Sequence, residues 1–245
     1  MNKHAYVQIF SLYPLFETKT LPEVLRSIAN MSIDGVQFCN DLCGYTPKEI
    51  RTLMQELNLE PASDHNVLAG INEAYLEKTC ELGAKSVFSS VFGPNGGESR
   101  DDVLRIADRM NKAGELCSRY GLVYGVHNHN LEFVEQTDGM RKIDFLLKHT
   151  DPRYVKIELD VGWAVAGKTD PVEWMRTWSG RVAMLHIKEC SYIPAENVTA
   201  LENASRLETC RKLGISLVNG RFPSDYPTLS RILRKDSPIM AWNGK

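Results

Sequence analysis

The chain has 245 residues, 43% of them hydrophobic and 24% charged, and its 29 Lys+Arg nearly balance 31 Asp+Glu for a formal net charge of −2. This is the composition of an ordinary globular domain. The basic residues are spread along the chain, which disfavours general nucleic-acid or membrane-surface binding, and no apolar run reaches the roughly 20 residues of a spanning helix. Six cysteines, none in a C-x-x-C pair, are too sparse for a disulfide scaffold, so reduced thiols and a cytoplasmic protein are expected.

Short β-branched runs alternate with longer stretches of helical periodicity, repeating at about 30 residues, the size of a strand-helix-strand unit. In chain order the expected elements are a strand over 6–12, a helix over 21–30, a strand over 35–39 and a helix over 47–57 opened by Thr46-Pro47. A strand over 60–65 and a helix over 71–82 ended by Gly83 follow, then a strand over 86–91 and a helix over 101–120 ended by Gly121. Beyond these lie strands over 122–129, 154–160 and 182–188 with helices over 140–149 and 170–178. The carboxyl-terminal part offers a strand over 215–219 and helices over 201–213 and 226–235. Such alternation predicts a parallel sheet of the α/β class. Eight units fit a single (β/α)8 TIM barrel spanning 1–245, because such barrels run to about 250 residues. The rival doubly wound sheet would open on a Gly-rich turn, and Phe10-Ser11-Leu12-Tyr13-Pro14 is not one.

In a barrel the chemistry collects at the carboxyl ends of the strands. The third strand ends in Asp64-His65-Asn66 and the fifth in His127-Asn128-His129-Asn130 followed by Glu132. The sixth ends in Glu158-Leu159-Asp160 and the seventh in His186-Ile187-Lys188-Glu189. Strand side chains alternate, so His127 shares a face with His129, Glu158 with Asp160, and His186 with Lys188. Glu132, Asp160 and His186 together make a mixed oxygen and nitrogen donor set suited to Mn²⁺, Mg²⁺, Zn²⁺ or Co²⁺, able to polarise a carbonyl or stabilise an enediolate. For His65 taken alone, a hydrogen-bonded core histidine is the preferred reading; a core role and a pocket role weigh equally for Trp163.

Tyr124-Gly-Val-His127-Asn-His129-Asn-Leu-Glu132-Phe133 is similar to the Tyr-His-Asn-His-x-x-Glu-Phe signature of the sugar phosphate isomerase/epimerase family, the xylose-isomerase-like barrels. Asp34-Gly35-Val36-Gln37-Phe38 resembles that family's second strand. Glu158-Leu-Asp160-Val-Gly-Trp163, with Gly167, Asp170 and Pro171, resembles its sixth, and Gly180-Arg181-Val182 to His186-Ile-Lys188-Glu189 its His-x-Lys-Asp seventh. The resemblance implies a divalent metal on Glu132, Asp160 and His186 with a further carboxylate from the eighth strand. It also implies a pocket lined by His65, His127, His129 and Lys188, with Trp163 as an apolar wall beside a sugar.

After Glu189 the resemblance degrades, so the last βα unit is expected to be atypical. Asn219 stands where the family's eighth-strand Glu is expected or, if the strand is 238–242 instead, Asn243 does. The leading expectation is a metal-dependent isomerase or epimerase of a small sugar, keto-sugar or polyol that abstracts the proton next to a carbonyl. Glu132, His127, His129 and Lys188 are its candidate catalytic groups, and His65, Trp163 and Glu158 its substrate contacts. The alternatives are a lyase of the same fold, either a dehydratase or a 3-keto-glycoside eliminase, and a non-catalytic sugar-binding barrel. The expected partner is a small-molecule sugar, with no nucleic acid and no membrane; self-association is left open. Phe92-Gly-Pro-Asn-Gly-Gly97 is read as a plain loop, although it precedes a helix start able to attract an anion.

Overall fold

The computed structural model describes residues 4–93 and 96–187. The elements run β1 (Tyr6–Gln8), α1 (Leu21–Ala29), β2 (Gly35–Phe38), α2 (Pro47–Glu56), β3 (Glu60–His65), α3 (Glu73–Leu82), β4 (Ser86–Ser89), α4 (Arg100–Arg119) and β5 (Val123–His127). They continue with α5 (Leu131–Val134), a small hairpin of β6 (Gln136–Thr137) and β7 (Met140–Arg141), then α6 (Lys142–Lys148), β8 (Val155–Asp160), α7 (Val161–Ala166), α8 (Pro171–Thr177) and β9 (Val182–His186).

Seven strands form one parallel sheet in the order β1-β2-β3-β4-β5-β8-β9. The sheet curls on itself. Gln37 on its second strand reaches Met184 Sδ on its seventh at 3.6 Å, and Ser63 Oγ lies 3.8 Å from the same sulfur, contacts that a flat sheet could not make. The fold is therefore α/β, with the helices packed outside a rolled parallel sheet. Two apolar clusters line the helix side, one centred on Val36, Phe38, Leu25 and Met54, the other on Val87, Val126, Ile157 and Met110. Among the described residues no helix is long and apolar enough to cross a membrane.

Local signals set the helix ends. Thr46 Oγ1 accepts the Glu49 N–H while the Glu49 carboxylate accepts the Thr46 N–H, a reciprocal cap that opens α2 with Pro47 in its first turn. Gly83 closes α3 at φ +93°, a left-handed conformation that a Cβ would oppose.

One expectation is corrected. The first strand stops at Gln8 rather than running to 12, because Ile9–Glu17 winds into a 3-10 stretch around Pro14, which has no N–H for a ladder. The segments after β5 and β8 each hold a short helix that periodicity cannot reveal in four to six residues. The expected strands 215–219 and 238–242 and helices 201–213 and 226–235 lie outside the described residues, as do Lys188, Asn219 and Asn243.

The loop after β4 is tied down by a buried cation. Lys142, with its side chain 2% exposed, donates to Glu98 Oε2 at 2.7 Å and to Glu135, and its ammonium sits 5.3 Å from the Phe92 ring centroid. Glu98 in turn accepts the Gly93 N–H at 2.7 Å, and Glu135 accepts the Gly97 N–H at 3.1 Å. The loop amide that could have received an outside anion is thus occupied by a carboxylate of the protein itself.

Candidate metal centre

The alternation of the strands puts Gln37, Ser63, His65, His127, Glu158, Met184 and His186 on the inner face of the rolled sheet. Glu158 is the hub of this group. Its carboxylate is fully buried, with His65 Nε2 at 2.5 Å and His127 Nδ1 at 3.0 Å from Oε2, and His186 Nε2 at 3.0 Å from Oε1. The imidazoles also touch one another. His127 lies 4.8 Å from His186 and 5.3 Å from His65 between ring centroids, and His65 stacks on His186 at 5.7 Å.

One ligand atom from each of His65, His127, Glu158 and His186 lies within 4.8 Å of the others, so the four could hold a metal ion. Three imidazoles and one carboxylate suit a borderline divalent cation, with His127 and Glu158 buried and His65 and His186 partly open to the mouth. The charge states fit as well. Burial alone would raise the Glu158 carboxyl, but hydrogen bonds from His127, His186 and His65 hold it well below 4.5, so it is an anion. Burial pushes His127 down to about 4 against the opposing pull of Glu158, so its ring is neutral and free to ligate.

The His127 shift carries a stability consequence for the metal-free protein. Because the folded-state value lies below the unfolded one, its contribution is fully present above about pH 6.5 and is lost as pH falls toward 4, by about 3 kcal/mol in all. Urea unfolding across that window is expected to show this loss in the wild-type protein and a flatter profile in His127→Asn; equal slopes in both would refute the assignment.

Of the triad expected from sequence, only His186 belongs to the four-residue group. Asp160 is near: its Oδ2 lies 3.8 Å from His186 Nδ1, while its Oδ1 accepts the Trp163 N–H at 2.9 Å and so caps α7. Glu132 sits on α5 and turns instead to His129, accepting that backbone N–H at 3.0 Å with its other oxygen 3.8 Å from the His129 Nδ1. His65 and Glu158, expected among the substrate contacts, lie within the metal-capable group. His129 stands at the rim with its side chain 43% exposed, its ring 5.0 Å from His127 and 5.7 Å from Trp163. Asn128 fixes the geometry from behind, its amide pairing with both the N–H and the C=O of Asp160 at 2.9 and 3.2 Å and extending the β5–β8 register past its last ladder pair.

No protein-family model matches the chain. A solved sugar phosphate isomerase/epimerase from Parabacteroides distasonis superposes with a TM-score of 0.67 at 25% identity, over 82% of this chain and 83% of that one. The chain's structural kin are the sugar phosphate isomerase/epimerase proteins, with their xylose-isomerase-like barrel. The resemblance read from the motifs is thereby borne out. Among curated proteins, the inosose dehydratase of Geobacillus kaustophilus is 27% identical over 132 residues, which are 54% of this chain and 41% of that protein. The inosose dehydratase of Mesomycoplasma hyopneumoniae strain 7448 is 26% identical over 239 residues, or 86% and 77%. The match to the first of these relatives thus spans well under half of its length.

Proposed function

We propose that this chain, working as a single barrel domain, is a metal-dependent enzyme that removes the proton beside the carbonyl of a keto-sugar or keto-polyol, with loss of water as the outcome. The observation that carries the reading is the convergence of His65, His127, Glu158 and His186 within 4.8 Å at the mouth, with the exposed imidazole of His129 directly above. A divalent ion held there supplies Lewis acidity toward a substrate carbonyl and offsets the charge that builds on its oxygen.

His129 then acts as base. Its ring nitrogen takes the proton from the carbon beside the carbonyl, and the Glu132 carboxylate behind it stabilises the resulting imidazolium. As the carbon–carbon double bond forms and the β-hydroxyl departs, the same imidazolium returns its proton to that oxygen, releasing water and restoring neutral His129. Trp163 provides the apolar wall against which the sugar's C–H face rests. One base on one face suffices for this elimination. The dehydratase names of the sequence relatives support that outcome.

Epimerisation is the second reading, favoured by the isomerase/epimerase name of the solved relative. It needs a second proton carrier on the opposite face; Lys188, the candidate from the sequence, lies outside the described residues. Incubating the metal-loaded protein in D₂O with a keto-inositol and with a 3-keto-glycoside separates the two. Loss of water or aglycone from the substrate supports the lyase, and deuterium uptake without bond cleavage supports the epimerase. Sugar binding with neither outcome would leave a binding barrel and sink both. His129→Gln is expected to lower kcat by about 10²- to 10⁴-fold while metal content stays unchanged.

A further inference from the structure

One carboxylate of the sheet faces away from the mouth and has no part in the chemistry above. Ser63 and His65 point inward, so alternation turns Asp64, between them, to the helix side. There its register partners are Phe38 on β2 and Val87 on β4, both fully buried, and Asp64 itself is 5% exposed. A carboxylate in such an apolar row costs stability unless its oxygens are hydrogen-bonded, and an apolar side chain of similar size would serve the core better.

Both oxygens are engaged. Oδ1 accepts the Asn40 N–H at 2.6 Å and Oδ2 accepts the Tyr75 hydroxyl at 3.0 Å, so the carboxylate joins the chain just beyond β2 to α3. Asn40 has φ +54°, a left-handed conformation that few residues besides glycine and asparagine adopt readily, and the bond to Asp64 secures it there. The backbone turns again at once. Asp41 Oδ1 accepts the Cys43 N–H at 2.7 Å, and Cys43 and Gly44 stand at φ +54° and +85°. Backbone held in sparsely populated conformations concentrates where a loop must present groups to a ligand. This loop begins three residues after Gln37, whose amide oxygen accepts from His186 Nε2 at 2.7 Å, and it leaves Asn40 and Asp41 exposed at the carboxyl end of the sheet. In parallel barrels that end makes the substrate contacts.

We propose that Asp64 is a positioning residue: through its bond to Asn40 it holds the β2–α2 loop so that Asn40 and Asp41 meet hydroxyl groups of the substrate. The ligand class is a polyol, whose hydroxyls match amide and carboxylate side chains as donors and acceptors. The proposal rests on the functional reading above for the substrate alone.

The test uses the full-length protein and two readouts. Hydrogen exchange is followed at the amides of residues 40–45 with and without myo-inositol, xylitol and a keto-inositol, and KM and kcat are measured on the keto-inositol. In the wild type at least one of these polyols is expected to slow exchange in the loop. Asp64→Leu is expected to speed that exchange in the free protein and to raise KM, or the Kd of the protecting polyol, about tenfold with kcat within about twofold, the mark of binding shared by substrate and transition state. Tyr75→Phe, which leaves the carboxylate in place but unbraced, should act in the same direction by a smaller factor, and it keeps the test decisive if Asp64→Leu does not fold. Asn40→Gly retains the left-handed backbone while deleting the side chain and should raise KM or Kd about fivefold, the worth of one neutral hydrogen bond.

A purely structural Asp64 would lower stability and leave KM and Kd unmoved in these variants; that result overturns the assignment, as does a lack of loop protection by every polyol. Protection in the wild type and weaker binding in the variants, without turnover, would sink the dehydratase and epimerase readings and leave Asp64 in its role.

Discussion

Glu158→Gln is expected to empty the proposed metal centre. The substitution preserves shape and leaves an amide that can still accept from one imidazole and donate to another, so the barrel should fold. What it removes is the only anionic donor among the four clustered residues, the carboxylate that three imidazoles address at 2.5–3.0 Å. Without that charge, three neutral imidazoles hold a dication weakly in a buried site. Metal affinity is expected to fall by at least about 100-fold. Turnover should fall on the order of 10³-fold, because Lewis-acid stabilisation is worth several kcal/mol. Elemental analysis after exhaustive dialysis reads the first effect and steady-state kinetics the second. Glu132→Gln belongs beside it, since the sequence motifs point to Glu132 and the geometry points to Glu158. Metal retained by Glu158→Gln and lost by Glu132→Gln would reverse the assignment.

The second large effect concerns stability. Lys142→Met leaves Glu98 and Glu135 facing one another without their common cation, in a setting where the lysine side chain is 2% exposed and the two carboxylates 16% and 28%. Methionine fills the same space, so the loss is electrostatic rather than a cavity. Breaking a buried pair by removing one partner costs about 3–5 kcal/mol, and the lower end applies here because the carboxylates keep some water. Urea denaturation should report about 3 kcal/mol, and hydrogen exchange should show faster exchange of the Gly93 and Gly97 amides, whose acceptors those carboxylates are. Adding Glu135→Gln should recover part of the loss by removing the like-charge repulsion. A change below about 1 kcal/mol in the single variant would mean that the triad contributes little.

Much of this architecture is legible in the amino-acid sequence because the alternation of strand and helix repeats often enough to constrain itself. The strand over 60–65 is observed at those bounds, and Thr46-Pro47 and Gly83 mark helix ends for reasons local to themselves. The gathering of histidines at one end is equally readable from period-two alternation. Depth along a strand is not. Glu158 and Asp160 share a face, so periodicity treats them alike, yet Glu158 lies one layer deeper among the imidazoles while Asp160, at the strand's end, is drawn to the first turn of α7. Glu132 is placed by an element that periodicity does not reveal: it stands on a four-residue helix, which turns its carboxylate to the His129 backbone. Gln37 escapes notice because a neutral amide carries no titratable signature. Its only signal is a polar residue in a strand, Gly-Val-Gln-Phe, that is otherwise apolar and buried throughout.

The order in which the chain is made gives the inner cluster a further property. Gln37 and His186 meet at 2.7 Å although 149 residues separate them, and His65, His127 and Glu158 emerge at intervals between. At ordinary rates of synthesis the last member leaves the ribosome on the order of ten seconds after the first. Until then the nascent sheet presents an unfinished ring of imidazoles around a carboxylate that β9 has not covered. On the proposed metal reading, ion capture is therefore a late event in maturation, and cells starved of the metal should accumulate full-length chains that are folded through α8 but slow to dock β9.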